Sequence, residues 1–455
     1  MNKFIVYSQR PLSLLILITL TLDFLALSFI PIIYAIPEIA PTINDPNLKV
    51  ERVVGGLKFP TTMAFLGPND ILVLEKNNGT VRRIVNGVML PEPVLDVNVA
   101  TYNERGMLGI AVAKNITNST NTRTYVFLYY TESSGGKDGD DDCPKPSYCE
   151  EWNGPIGNRL YRYELIGNKL VHPKLLLDLP ASIGSAHNGG AITLGPDNNI
   201  YVPIGEVSFP KTLASNVQNG LPVDGRGGIL RITQDGKPVG NGILGNNYPL
   251  NLYYGYGIRN SFGLAFDPVS KKLWDTENGP GFGDEINLVE PGFNGGWNKV
   301  QGIWNPTGYS GGYIAPEKPN NLVNFGGKGK YSYPEFIWNH TVGPTAIKFL
   351  SSDKLGKQYE NDMFVASVIP NGNIYHFDLN AGRTALILNK PLDDRIANSM
   401  DELQGIVFGK DFGAITDIET GPDGYLYIVS YIGGEIFRIV PTVTTTSTTS
   451  AHRIS

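Results

Sequence analysis

Between Val53 and Pro441 the chain repeats one pattern of apolar and polar positions. An apolar run leads into a turn, a strand of large residues follows, and a partner strand comes after it. Phe65-Leu66-Gly67-Pro68-Asn69-Asp70-Ile71-Leu72-Val73 is one copy, and Leu194-Gly195-Pro196-Asp197-Asn198-Asn199-Ile200-Tyr201-Val202 is another. Phe266-Asp267-Pro268 before Lys272-Leu273-Trp274 is a third, and Thr420-Gly421-Pro422-Asp423-Gly424-Tyr425-Leu426-Tyr427-Ile428 is the clearest. Each copy reads as a hairpin. Proline fixes φ at the second turn position, and Asp-Gly or Asn-Asn tolerates the positive φ that follows. Partner strands such as Gly79–Ile84 and Gly434–Ile439 trail the turns. Near-regular antiparallel units without amphipathic helices predict an all-β propeller, whose radial repetition protects strand edges. A pair of β-sandwiches is the alternative, and the pattern alone does not count blades.

Four segments fall outside the repeat. Residues 1–35 carry Lys3 and Arg10, then an apolar stretch from Leu12 to Ala35 ending in Ile33-Tyr34-Ala35, where a small residue suits a cleavage site. The stretch is long enough to span a bilayer, but Asp23 lies in its middle. A cleaved signal peptide and an uncleaved N-terminal anchor, a membrane tether, both place the folded part outside the cytoplasm. Residues 36–50 read as a proline-rich lead-in to a propeller over 51–441. Asp138 to Glu150 is an acidic surface insertion, and residues 442–455 are a Thr/Ser-rich tail with no apolar face.

Composition adds to this picture. Among 455 residues, 53 glycines, 32 prolines and 10% aromatics suit many short strands and argue against disorder. The formal charge of −6, one unit more negative without residues 1–35, comes with no run of lysines and arginines, which argues against a nucleic-acid partner. Cys143 and Cys149, the only cysteines, read as a local disulfide in an exported protein, since no further cysteine or histidine stands nearby to complete a zinc site.

Three segments could carry chemistry. His187 stands in Gly184-Ser185-Ala186-His187-Asn188-Gly189-Gly190, where flanking glycines leave its imidazole uncrowded, as a general base requires. A loop histidine satisfied by local hydrogen bonds has the same wording. Arg259-Asn260, among glycines, offers a fork of donors to a carbonyl or carboxylate. Glu277-Asn278-Gly279-Pro280-Gly281-Phe282-Gly283-Asp284-Glu285 sets hard oxygen ligands beside open carbonyls, which suits calcium and equally a solvated turn.

Taken in order, the wording resembles the soluble aldose (glucose/sorbosone) dehydrogenases that use pyrroloquinoline quinone (PQQ). The resemblance runs from Asn103-Glu104-Arg105-Gly106-Met107-Leu108-Gly109-Ile110 through His187-Asn188-Gly189-Gly190, Gly228-Ile229-Leu230-Arg231-Ile232 and Ile258-Arg259-Asn260. It continues through Asp284-Glu285-Ile286-Asn287 and Gly295-Gly296-Trp297 to Gly421-Pro422-Asp423-Gly424. It implies a six-bladed β-propeller with PQQ over the central mouth and an aldose sugar as substrate. His187 matches the histidine that takes the proton from the anomeric hydroxyl. Arg259 and Asn260 match contacts to the quinone oxygens, and Glu104 matches a position near the cofactor. Gly279 and Pro280 match carbonyl ligands of calcium, with Asp284 and Glu285 a nearby pair linked to it.

Two departures stand out. Where relatives carry arginines for the PQQ carboxylates, this chain has Ala414 and Thr416, leaving Arg259 and calcium to carry most of the neutralisation, with Arg105 as a candidate helper. Ala186 stands where some relatives place an aspartate. Three functions compete on this reading. The first is an exported dehydrogenase passing electrons to an external acceptor. The second is a non-catalytic propeller binding a glycan or protein, which the missing arginines suit. The third is calcium-dependent hydrolysis. The lack of a Gly-x-Gly-x-x-Gly opening a helix after a strand argues against nicotinamide use.

Overall fold

The structure, a computed structural model, describes residues 40–118, 121–139, 154–182, 184–208, 211–306 and 319–442. The leader, the two cysteines, most of the acidic insertion and the tail beyond Thr442 lie outside the described residues.

The strands form six sheets. Each opens on an inner strand: Pro60–Gly67, Met107–Asn118, Thr193–Leu194, Ser261–Phe266, Pro344–Phe349 or Ile415–Thr420. Each inner strand touches the next in this order, and Ile415–Thr420 returns to Pro60–Gly67, closing a ring. Six apolar clusters fill the wedges between successive sheets; Phe127 and Tyr129 meet Val202 and Tyr253 in one, and Trp274 and Trp338 meet Val365 and Phe377 in another. The all-β propeller arrangement therefore stands and the paired sandwich does not. Among the described residues, helix is confined to short 3-10 turns such as Leu213–Ser215 and Met400–Gly405.

The repeat has a simple physical reading. The second strands, including Ile200–Ile204, Met363–Ser367 and Leu426–Ser430, are buried along their whole length. They lie between two neighbouring sheets, so both faces are apolar and the runs are continuous where a half-solvated strand would alternate. The turns take the predicted form, with positive φ at Asn69, Asn198, Lys271 and Gly424. In two copies the turn aspartate does the same work. Asp197 accepts from Asn199 N and the Tyr201 hydroxyl, and Asp423 from Tyr425 N and the Tyr427 hydroxyl.

Ring closure involves the N-terminal segment. Leu48–Gly55 pairs antiparallel with Glu435–Pro441, the last strand of the chain, while Thr42–Ile43 pairs with Val407–Lys410 of the preceding sheet. The segment expected as a lead-in up to residue 50 thus supplies strands to two sheets. It ties the two ends of the chain together, so opening the ring requires breaking both pairings at once.

Candidate active site

A cavity of about 390 Å³ opens at the centre of the ring. Every inner-strand tract contributes to its wall: Thr61, Leu108, Ala191, Phe262, Thr345 and Thr416. The walls are mostly apolar or hydroxylated, and the charged side chains in them are Glu104 and Lys76. A concave, largely apolar site with few polar groups suits a flat organic ligand.

Glu104 gathers the predicted residues. Its Oε2 accepts from the His187 backbone N–H at 2.6 Å and from Asn260 Nδ2 at 3.0 Å. Residues far apart in sequence, on three loops, therefore meet at one carboxylate. Gly205 makes this convergence possible, because a Cβ there would lie 2.4 Å from both the Arg259 and His187 carbonyl oxygens. His187 itself sits at φ 63°.

The His187 imidazole is held from behind. Its Nδ1 makes a short hydrogen bond to Glu206 Oε1, and Glu206 is almost wholly buried. A carboxylate at Nδ1 fixes the tautomer with hydrogen there and leaves Nε2 with its lone pair, the arrangement of a general base. Glu206 Oε2 is buried without a hydrogen-bond partner.

Arg259 is placed by its surroundings. Its N–H donates to Glu277 Oε1 at 2.6 Å, its Nη1 donates to the Asn278 carbonyl at 2.7 Å, and its guanidinium lies 5.6 Å from the Trp297 ring. Burial lowers its pKa, opposed by the charges of Glu206, Glu277, Glu104 and Asp284. The loop beyond it joins Leu273–Glu277 to Asp284–Val289. Gly279 is needed in that loop, since a Cβ would fall 1.9 Å from Phe282 O.

The two acidic residues expected near calcium divide. Asp284 is a clamp: Oδ1 accepts from Gly279 N, and Oδ2 from Thr341 Oγ1, Val342 N and Gly343 N. Its oxygens are occupied in shaping the loop that carries Gly279 and Pro280. Glu285 lies opposite Glu277, and Asp275 opposite Asn287, in register across the two strands. Side chains at alternate positions of paired strands share a face, so three buried carboxylates and an amide form one square. Glu277 Oε2, both Asp275 oxygens, Asn287 Oδ1 and Gln301 Oε1 have no hydrogen-bond donor. Burial raises Glu277 well above the usual carboxylate range, the charges of Glu285 and Asp275 adding to it. Burial likewise pushes Glu285 up to about 8 and Asp275 up to about 7. This donor set, hard oxygens with excess negative charge, fits a divalent cation such as calcium. Among the described residues, the acidic and histidine side chains whose ligand atoms already crowd together are Asp362, His376 and Asp378, on another sheet. A cation at the square would therefore combine one or two of its carboxylates with backbone carbonyls.

Other expectations are redrawn. Arg105 is not among the residues that line the cavity; its Nη2 donates to the Ala181 and Gly184 carbonyls and braces the loop leading to His187. Thr416 lines the cavity but turns its hydroxyl onto Pro60 O at 2.9 Å, and Ala414 brings no charge. Glu206, Asp275 and Lys76 escaped the sequence reading. A signal existed, because Glu75-Lys76, Glu206 and Glu277 all stand at or just past the ends of second strands. Glu75 pairs with Pro60 and Glu277 with Ser261, each beside a cavity-lining residue, Thr61 or Phe262.

The chain was compared with known proteins. The family model described as Glucose / Sorbosone dehydrogenase matches residues 57–438. The aldose sugar dehydrogenase YliI of Escherichia coli is 25% identical over 398 residues, 87% of this chain and 93% of that protein. Quinoprotein glucose dehydrogenase B of Acinetobacter calcoaceticus is 28% identical over 336 residues, 68% of this chain and 63% of that one. The PQQ-bound aldose sugar dehydrogenase structure from Streptomyces coelicolor shares the fold, with a TM-score of 0.59 at 23% identity, covering 89% of this chain and all of that one.

Proposed function

The chain belongs to the glucose/sorbosone dehydrogenase family, and from that premise we propose that it is an exported, PQQ- and calcium-dependent dehydrogenase oxidising aldose sugars at the anomeric carbon to lactones. The observation that carries this reading is the convergence of His187 and Asn260 on Glu104 at the cavity wall, with Glu206 behind the imidazole. The six sheets, each read as one blade, support a six-bladed propeller. The cavity volume and its apolar walls fit a planar quinone, and Asn260, which donates to the cavity-lining Glu104, keeps a buried Oδ1 without a hydrogen-bond partner.

PQQ, when bound, supplies the acceptor for the two electrons that leave the sugar as hydride. The work of this chain is the other half of the reaction. His187 Nε2 takes the proton of the anomeric hydroxyl as the C1–H bond breaks and the C1–O bond gains its second component. Glu206 stabilises the resulting imidazolium and keeps the ring in one orientation. Glu104 fixes the loop that carries the base, and Arg259 and Asn260 would hold and polarise the quinone oxygens of bound PQQ. Glu206→Gln should therefore lower kcat on the order of 10²-fold with little change in KM, the lower end of what a positioned base contributes. An unchanged kcat would leave Glu206 no positioning role.

Titration of the purified protein with PQQ and calcium, followed by dye reduction with several aldoses, tests the reading. Saturable PQQ binding and sugar-dependent dye reduction are expected. No binding at micromolar PQQ would overturn the enzyme and favour a propeller that binds a glycan or protein partner, the reading that Ala414 and Thr416 support. Export rests on residues 1–35, and the electron acceptor on this account is external to the protein.

A further inference from the structure

Away from the central cavity, Asp362, His376 and Asp378 bring one ligand atom each to within 4.8 Å of one another. The strands Met363–Ser367 and Ile374–Phe377 pair with Phe364 opposite His376 and Met363 opposite Phe377, which sets Asp362 across from Asp378. Alternate positions share a face, so the three side chains leave one side of the hairpin together. His376 Nε2 lies 2.9 Å from Asp362 Oδ2 and 3.6 Å from Asp378 Oδ1. An imidazole has a single hydrogen to offer at Nε2, so it serves one carboxylate and leaves the other facing like charge. Among the described residues neither aspartate pairs with a lysine or arginine; Arg383, in the turn that follows Asp378, is committed to Asp267 and to the Asn361 carbonyl.

The imidazole is held from the sides. Tyr359 meets it edge to face at 5.2 Å between ring centroids, and Phe364 and Phe408 lie at 5.1 and 6.3 Å. The Tyr359 hydroxyl donates to Asp45 Oδ2 at 2.9 Å, in the N-terminal segment between the two ring-closing strands. His376, Tyr359, Asn44 and Asp45 also line a cavity of about 290 Å³ there. Asp378 is exposed, which gives an ion an entry path and leaves a coordination position for water.

We propose that Asp362, His376 and Asp378 form a cation site of their own, distinct from the acidic square, that takes a zinc-like divalent ion and steadies the seam with the N-terminal segment through Tyr359. The donor set decides the metal. Calcium takes about six to eight oxygen ligands, whereas one imidazole nitrogen with two carboxylate oxygens and a water suits zinc. The spacing agrees with it. Tetrahedral bonds of about 2.0–2.2 Å place donor atoms about 3.3–3.6 Å apart, so the separation to Asp378 needs no change and the one to Asp362 must open by a few tenths of an ångström. Neither the central cavity nor its cofactor enters this assignment.

Zinc binding by the intact protein, stripped with chelator and resupplied with calcium, tests it. Calorimetric titration of the wild type, His376→Gln, Asp362→Asn and Asp378→Asn measures affinity, cobalt absorbance reports the geometry, and circular dichroism checks folding. The wild type is expected to bind one zinc ion per chain with micromolar or tighter Kd in excess calcium, and zinc at about a hundredfold over Kd should raise the melting temperature by about 3–5 °C. Losing a ligand costs at least what losing an outer-shell partner does, about 10- to 100-fold, so each variant should weaken zinc by more than about tenfold. Asp378→Asn, changed at an exposed position, keeps the experiment decisive where a more buried variant fails to fold. No zinc binding by the wild type, or displacement of zinc by equimolar calcium, would leave the cluster an imidazolium held between two aspartates and overturn the proposal. Zinc binding that survives all three substitutions would put the ion elsewhere and overturn it as well.

Discussion

Replacing His187 by alanine is expected to lower kcat for aldose oxidation by about 10²- to 10⁴-fold, the usual contribution of a positioned general base, while leaving PQQ affinity within about twofold. The separation of the two effects follows from the geometry. The loop is held at His187 through its backbone, by the N–H to Glu104 Oε2, and alanine keeps that N–H. The loop is also braced by Arg105 on the Ala181 and Gly184 carbonyls, a contact that does not involve the imidazole. Substitution therefore removes the base without moving Glu104 or Asn260. Steady-state kinetics at saturating PQQ, paired with a PQQ titration of the variant, checks this. Loss of turnover and binding together would mean that the imidazole is structural, and full turnover would mean that another group takes the proton.

The variant also exposes Glu206. In the wild type one of its oxygens holds His187 Nδ1 and the other is buried without a partner. Without the imidazole the carboxylate is buried and unpaired, so His187→Ala should also lose some stability, on the order of 1–3 kcal/mol for a lost buried partner. Glutamine at 187 avoids part of that loss and is the better control for the kinetic effect.

How much of this was legible in the sequence differs from element to element. The hairpins were, because Gly-Pro-Asp turns impose their own backbone conformation within a few residues. Asn198 and Gly424 take the positive φ expected of them. His187 and Arg259-Asn260 were legible as segments, but their meeting on Glu104 was not. The carboxylate is 83 residues from His187 and 156 from Asn260, and only ring closure brings the three loops together. Glu206 was missed for the same reason: its significance depends on Gly205, which looks like any loop glycine until the His187 carbonyl packs against it. Asp284 and Glu285 show the opposite limit. Adjacent in sequence, they point to opposite sides of a strand, so one clamps a loop and the other joins a buried acidic face. The N-terminal strands Thr42–Ile43 and Leu48–Gly55 carry no turn signal of their own, and their partners lie at the far end of the chain.

Removing calcium is expected to lower the melting temperature by about 5–8 °C, and Glu277→Gln to abolish most of that response. Asp275, Glu277 and Glu285 lie within one buried face, with Asp284, Glu206 and Glu104 close enough to act on the Arg259 guanidinium. The Arg259 guanidinium offsets the charge of Glu277, but by less than burial and the neighbouring acids raise it. Burying unpaired charge costs several kcal/mol, so the metal-free protein must either hold protons on these groups or bear the repulsion. A divalent cation removes the need for both. Binding at about a thousandfold over Kd stabilises by about 4 kcal/mol, and for a domain of this size each kcal/mol moves the melting temperature by about 2 °C or less. Glutamine at 277 keeps an oxygen to accept the Arg259 N–H and deletes one charge from the square. The metal-free variant should therefore melt above the metal-free wild type, although calcium-loaded wild type should melt above both. Thermal melts with chelator and with added calcium decide the matter: an unchanged melting temperature in chelator would mean that the acidic face folds without a cation. A full calcium response in Glu277→Gln would move the ligand role to Glu285 and the carbonyls of the Gly279–Pro280 loop.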